Sequence, residues 1–306
     1  MVADADGAAL DRQPVLVQHA AGERRREDLP VFPGTDFPKG TDESSLGELS
    51  AFYEGLRYLT DSDSYGAVHF YENLSSGALN DENSARDFLL ASANKYPGRV
   101  TVIAIGPVMN IARAVEADPA FAKKIASVWY MSGAFSAPYA SAYADGEPVQ
   151  AVGGANITPF AEYNACYDAS SLKTCLTAGF PVQVLMPGEI SAALDEETVA
   201  RLESENAGRD GLAGAWLERY AVSLPDYPYW DPVTAMAFLQ SENLTKEECY
   251  VTVCTDRNDP HYAMTSSVTP AEYALLSEEE QAGYGKAFVG REYRDFWAPA
   301  VRLLCR

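Results

Sequence analysis

The sequence predicts an α/β fold: a single domain with a mostly parallel sheet flanked by helices. Three observations carry this expectation. Val100-Thr-Val-Ile-Ala-Ile105 is a short, β-branched, almost wholly apolar run of the kind found in a strand buried on both faces. Gly106-Pro107 breaks it, and Val108–Ala117 then carries a helical pattern with Val108, Ile111, Ala112 and Val115 on one side. A second helical stretch follows Asp118-Pro119, and Val128-Trp-Tyr-Met131 is the next strand candidate. Strand, helix and strand in that order make a crossover unit and hence parallel pairing.

The rhythm continues along the chain. Ala169–Ala178 reads as helix, Gly179-Phe-Pro as a turn and Val182-Gln-Val-Leu-Met186 as another strand. Glu196–Glu205, Leu212–Leu224 and Asp231–Leu239 are helix candidates. Cys249–Ser267 is β-rich, and Arg291–Leu304 reads as a closing amphipathic helix. No internal repeat or low-complexity linker divides the chain, so residues 1–306 are read as one domain. Thr35–Ser64 and Ser136–Gly154 are long excursions rich in Asp, Ser, Gly and Pro. Such loops serve as lids or rims in compact α/β domains, and an insertion without consequence fits them equally well.

With 47% apolar and 11% aromatic residues, the 306-residue chain can bury a sizeable core. Its formal net charge of −21 repels polyanions, which argues against nucleic acid and anionic membrane surfaces as partners. The 5 cysteines form no CxxC pair and only 3 histidines accompany them, so a zinc site is not expected and reduced thiols are. The opening MVADADGAALD is neither basic nor apolar enough for a signal peptide, and no apolar run is long enough to span a membrane. A cytoplasmic protein is the expectation.

Residues 153–168, GGANITPFAEYNACYD, hold the densest polar chemistry. Asn156, Glu162, Asn164 and Asp168 sit there among Gly, Pro and aromatics. A carboxylate accepts hydrogen bonds and a carboxamide both donates and accepts, so together they suit a group that does both, such as a sugar hydroxyl. Turn chemistry explains the same residue types. Ligands of an open parallel sheet bind at the carboxyl ends of its strands. Gly106, Ser132-Gly133 and the 153–168 loop would share that rim. Neither GxGxxG nor GxxxxGK[ST] is present, so a dinucleotide or NTP site has no support.

Several segments together resemble the inosine/uridine-preferring nucleoside hydrolase family. Pro97-Gly-Arg-Val-Thr-Val-Ile-Ala-Ile-Gly-Pro-Val-Met-Asn110 is similar to its strand-turn-helix, and Trp129-Tyr-Met-Ser-Gly-Ala134 to its Met-Gly-Gly segment. Gly154-Ala-Asn-Ile-Thr-Pro-Phe-Ala-Glu-Tyr-Asn164 is similar to its ribose-binding loop, Trp230-Asp231-Pro232 to its His-Asp-Pro, and Phe296-Trp297 to its last helix. The resemblance implies a Rossmann-like nucleoside hydrolase fold, a Ca2+ cofactor and cleavage of the bond between ribose and base. It implies that Asn156 and Glu162 hold the 5′ side of ribose and Asn164 the 2′ and 3′ side. Met131 would lie beneath the sugar, and Asp231 and the Ile105 carbonyl would ligate calcium. Expected partners are a nucleoside or ribose and further copies of the chain in a homo-oligomer.

The sequence departs from the family pattern at two places. The family's opening cluster, Asp-x-Asp-Pro-Gly-x-Asp-Asp, which supplies the general base and most calcium carboxylates, has no counterpart here. Aligning Val2-Ala3-Asp4 with the end of the family's second strand puts Asp4 where an active-site Asn usually stands. The alternative takes Asp4, Asp6 and Asp11 as a remnant of the cluster. The first alignment leaves the family's first strand and helix without a match, leaves the general base unassigned, and predicts impaired hydrolysis. Trp230 replaces the family's His; indole cannot protonate a leaving base, but it can stack on one and so favour purines. The rival expectation is a non-catalytic ribose or nucleoside binder, or a structural subunit of an oligomer.

Overall fold

The computed structural model describes residues 84–135, 160–193 and 228–294, with isolated positions at 32, 34, 48, 143–144, 147–148, 196, 199–200, 204 and 296. Strands β1 (Val100–Ala104), β2 (Ile125–Met131), β3 (Gln183–Met186), β4 (Leu244–Val253), β5 (Thr265–Val268) and β6 (Gly285–Tyr293) form a 6-stranded sheet. Its spatial order is β1-β2-β3-β6-β4-β5. The first four strands run parallel, while β4 and β5 are antiparallel to their neighbours. Helices α1 (Ser84–Lys95), α2 (Met109–Ala117), α3 (Tyr163–Tyr167), α4 (Ala169–Thr177) and α5 (Asp231–Leu239) flank it.

The alternation of side chains along β2 and β3 builds a core on each face. Val128, Tyr130 and Leu185 pack on one side with Phe121, Ile111, Leu172 and Leu176. Trp129, Val184 and Met186 point to the other, against Val233, Met236 and Ala237 of α5. A sheet covered on both faces needs strands that are apolar throughout, which is why 128–131 and 184–186 show no polar alternation. The expected face of α2 is buried at Ile111 and Ala112, joined by Met109 and Ala114.

Elsewhere the structure differs from expectation. Every residue of β1 is half-buried rather than buried on both faces, since β1 has a single strand partner among the described residues. The stretch after Asp118-Pro119 is one turn, Phe121–Lys124, that runs directly into β2 three residues before Val128. Arg291, Glu292 and Tyr293 belong to β6 and not to a closing helix. The pairing with β4, Glu292 opposite Thr245 and Tyr293 opposite Leu244, extends the strand past a bulge between Gly290 and Glu292. Positions 196, 199, 200 and 204 are helical, whereas Leu212–Leu224 lies outside the described residues.

Gln183 locks the amino end of the parallel layer. Its Oε1 accepts from Tyr130 Oη at 2.9 Å, and its Nε2 donates to the carbonyls of Leu176 at 2.9 Å and Lys286 at 3.1 Å. The end of α4 presses so closely on β6 that a Cβ at Gly285 would lie 1.8 Å from the Leu176 carbonyl oxygen. Replacing Gln183 by Leu keeps the bulk and strands three polar partners. The variant is expected to lose roughly 1–3 kcal/mol in urea denaturation; an unchanged midpoint would show that these groups find other partners.

Candidate functional site

The carboxyl ends of β2 and β3 lie side by side, with Met131 opposite Met186. Each strand ends in Met-x-Gly, Met131-Ser132-Gly133 and Met186-Pro187-Gly188, and the two turns bond to each other. Ser132 N donates to the Met186 carbonyl at 3.2 Å and Gly188 N to the Gly133 carbonyl at 2.9 Å. Gly133 has φ of +89°, which a side chain rarely adopts, and a Cβ there would meet Thr265 Oγ1 at 3.2 Å. The Thr265 hydroxyl ties β5 to this turn by accepting from Ala134 N and donating to the Ala134 carbonyl, both at 2.9 Å.

Glu162 sits against that floor, almost wholly buried at 1% exposure. It is the N-cap of α3. Oε1 accepts from Asn164 N at 2.7 Å, and Oε2 accepts from Ala165 N at 3.0 Å and Gly133 N at 3.0 Å. Burial raises its carboxyl from 4.5 to about 7, against the pull of the Asn164, Ala165 and Gly133 amides and the Ser132 side chain. A carboxylate has about four acceptor sites, so three amides and Ser132 fill it.

Asn164, in the first turn of α3, turns its amide to the end of β2. Nδ2 donates to the Met131 carbonyl at 2.9 Å and contacts Met131 Sδ at 3.1 Å. Its Oδ1 has no hydrogen-bond partner among the described residues. Asp168, the remaining polar residue of this loop, caps α4 through Ser171 N at 3.0 Å and Ser171 Oγ at 2.6 Å. For Asp168 the turn-chemistry reading holds.

Trp230 and Asp231 open α5, which packs over β1 and β2 on the sheet face opposite α2 and α4. The indole Nε1 donates to the Gly188 carbonyl at 2.8 Å. Met131, Glu162, Asn164 and Trp230 are thus brought together around the two Met-x-Gly turns. Ile105 follows β1 directly and is half-buried. No group of three or more His, Cys, Asp or Glu side chains suited to a metal ion occurs among the described residues. Asp4 and Asn156 lie outside the described residues.

Sequence reasoning puts Ser132 at the rim without a role of its own, and it misses Gly188 and Glu189, whose Oε1 accepts from Phe135 N. The repeated Met-x-Gly at the ends of two buried strands is the available signal for Gly188. Among the described residues, Cys166, Cys175, Cys249 and Cys254 are free thiols, and no helix is long and apolar enough to cross a membrane.

The environment of Glu162 has a consequence for stability. An acid whose folded pKa lies above its unfolded value contributes most below the unfolded value and loses that contribution as pH rises through the folded one. Between pH 4.5 and about 7 the wild type is therefore expected to lose roughly 3 kcal/mol relative to Glu162→Gln, with no further divergence outside that window. Denaturation of both proteins across pH 4 to 8 checks this; parallel curves would contradict it.

The sequence model described as "inosine-uridine preferring nucleoside hydrolase" matches residues 14–286. An uncharacterised protein of Schizosaccharomyces pombe is 31% identical over 229 residues, covering 71% of this chain and 63% of that protein. Uridine nucleosidase 1 of Arabidopsis thaliana is 38% identical over 104 residues, covering 34% of this chain and 26% of that protein. The chain thus spans less than two thirds of the length of these relatives. Among solved structures, a plant nucleoside hydrolase superposes with a TM-score of 0.60 at 21% identity, over 95% of this chain and 84% of that one, and so shares its fold. By the extent of the family match, the chain belongs to the inosine-uridine preferring nucleoside hydrolase family.

Proposed function

We propose that the chain binds ribonucleosides at the carboxyl ends of β2 and β3 and hydrolyses their N-glycosidic bond to ribose and free base. The observation that carries this reading is the Glu162–Asn164 pair, a buried carboxylate and a carboxamide with an open Oδ1, fixed at the Met131 floor. Asn164 Oδ1 accepts from a 2′ or 3′ hydroxyl. A 5′-side hydroxyl exchanges with the Ser132 hydroxyl at Glu162, while the three amides keep the carboxylate in place. Met131 packs beneath the sugar, and the family resemblance adds Asn156 and Asp4 to the ribose contacts.

The C1′–N bond breaks with its electron pair going to the base, which takes up a proton from solvent. Water adds to C1′ of the oxocarbenium-like sugar and gives up a proton to solvent, while the preorganised polar groups stabilise the developing charge. The ring of Trp230 offers a face to the base, which supports a purine lean. Relatives named as uridine nucleosidases make pyrimidine nucleosides the necessary comparison. Calcium, implied by the family resemblance, would draw on Asp231 and the Ile105 carbonyl. Among the described residues those two donors fall short of the six to eight oxygens the ion takes, so on their own they do not fit it.

Ribose release from inosine, adenosine, guanosine and uridine tests the reading. Ribose binding with slow release from all four, faster with the purines, is expected, since the general base is unassigned; a chain that neither binds ribose nor releases it would refute the reading. Asn164→Ala is expected to weaken ribose binding by ~1–3 kcal/mol in calorimetry. Unchanged affinity would remove Asn164 from the pocket.

A further inference from the structure

A run of hydrogen bonds crosses the floor of the site. Gly133 N donates to Glu162 Oε2 at 3.0 Å, and the Gly133 carbonyl accepts from Gly188 N at 2.9 Å. The Gly188 carbonyl in turn accepts from Trp230 Nε1 at 2.8 Å. The Trp230 carbonyl accepts from Thr234 N at 2.9 Å and Thr234 Oγ1 at 3.2 Å, in the first turn of α5. The residue is therefore fastened at both ends, by its indole to the floor and by its backbone to the helix. The Trp230 side chain makes no capping hydrogen bond to the start of α5. The next residue, Asp231, shares whatever position Trp230 is given.

We propose that Trp230 is a positioning residue, whose indole N–H ties the start of α5 to the Gly133–Gly188 floor and thereby fixes the geometry in which ribose is held. The inference rests on the ribose pocket described above and assigns Trp230 a role that a base-stacking ring does not require. Stacking uses the face of the ring, which any aromatic provides. The tie uses the ring nitrogen, which donates to the Gly188 carbonyl at 2.8 Å and which a phenyl ring lacks. With the donor gone, that carbonyl loses its partner and the helix start gains freedom relative to the floor.

The two roles separate on a ligand without a base. D-Ribose offers nothing to stack on, and Trp230→Phe keeps a ring while deleting the donor. Titrating the full-length chain and this variant with D-ribose, far below their melting temperatures, is expected to show about 3- to 10-fold weaker binding in the variant. KM for inosine and uridine should rise by a common factor. Hydrogen exchange supplies a readout free of ligand: the Gly133 and Gly188 amides should exchange faster in Trp230→Phe than in wild type. Unchanged ribose affinity with a loss confined to purine nucleosides would overturn the proposal. If the wild type itself binds no ribose, the pocket reading fails, and the exchange at Gly188 alone decides the tie: accelerated exchange supports it, and unchanged exchange overturns it.

Discussion

A single buried carboxylate organises the rim of this sheet. Glu162 lies out of water and holds amides from two chain segments far apart in sequence, the turn after β2 and the start of α3. Burying an ionisable group carries a penalty that only a full set of hydrogen bonds offsets. The amides of Gly133, Asn164 and Ala165 and the Ser132 side chain supply that set and leave a carboxyl poised near neutrality. What the arrangement gains is definition: the loop that carries Asn164 cannot drift from Met131 while the clamp is closed.

The rest of the site inherits its placement from that clamp. Parallel pairing of β2 and β3 sets Met131 beside Met186, and the paired Met-x-Gly turns then fall within hydrogen-bond reach. Glycine is required at Gly133 because its backbone is left-handed and the Thr265 hydroxyl crowds the space a side chain would fill. Through Gly188 the same floor reaches Trp230 and the start of α5, which approaches from the opposite face of the sheet. An arrangement built this way belongs to the sheet rather than to a loose loop, at the carboxyl ends of the strands where ligands of open parallel sheets bind.

How much of this was legible in the sequence depended on whether the cause was local. The strands at 100–104, 128–131 and 183–186 and the helix Asp231–Leu239 announce themselves by apolar runs and by Pro after the helix start. The polar loop announces its chemistry too, but the roles differ from the residue types. Glu162 and Asp168 both act as helix caps, and only the fold shows that Glu162 also reaches across to Gly133. The central strand β6 was hidden because its reasons lie elsewhere in the chain. Gly285 is there to admit the Leu176 carbonyl, and Gly290 to admit Ile190 and Met186, so glycines that look like turn signals mark close approach instead. The exposed Arg291 and Glu292 then read as part of an amphipathic helix although β4 pairs with this stretch.

The central claim is that Glu162 is a buried carboxylate, held by three backbone amides and the Ser132 side chain, at the floor of the proposed ribose site. Carbon-13 NMR of the Glu162 side-chain carboxyl, titrated with pH in the absence and presence of ribose, tests it most directly. The account predicts a midpoint of about 7 in the free protein and a displaced midpoint when ribose is bound. A midpoint in the ordinary carboxylate range, unmoved by ribose, would contradict it.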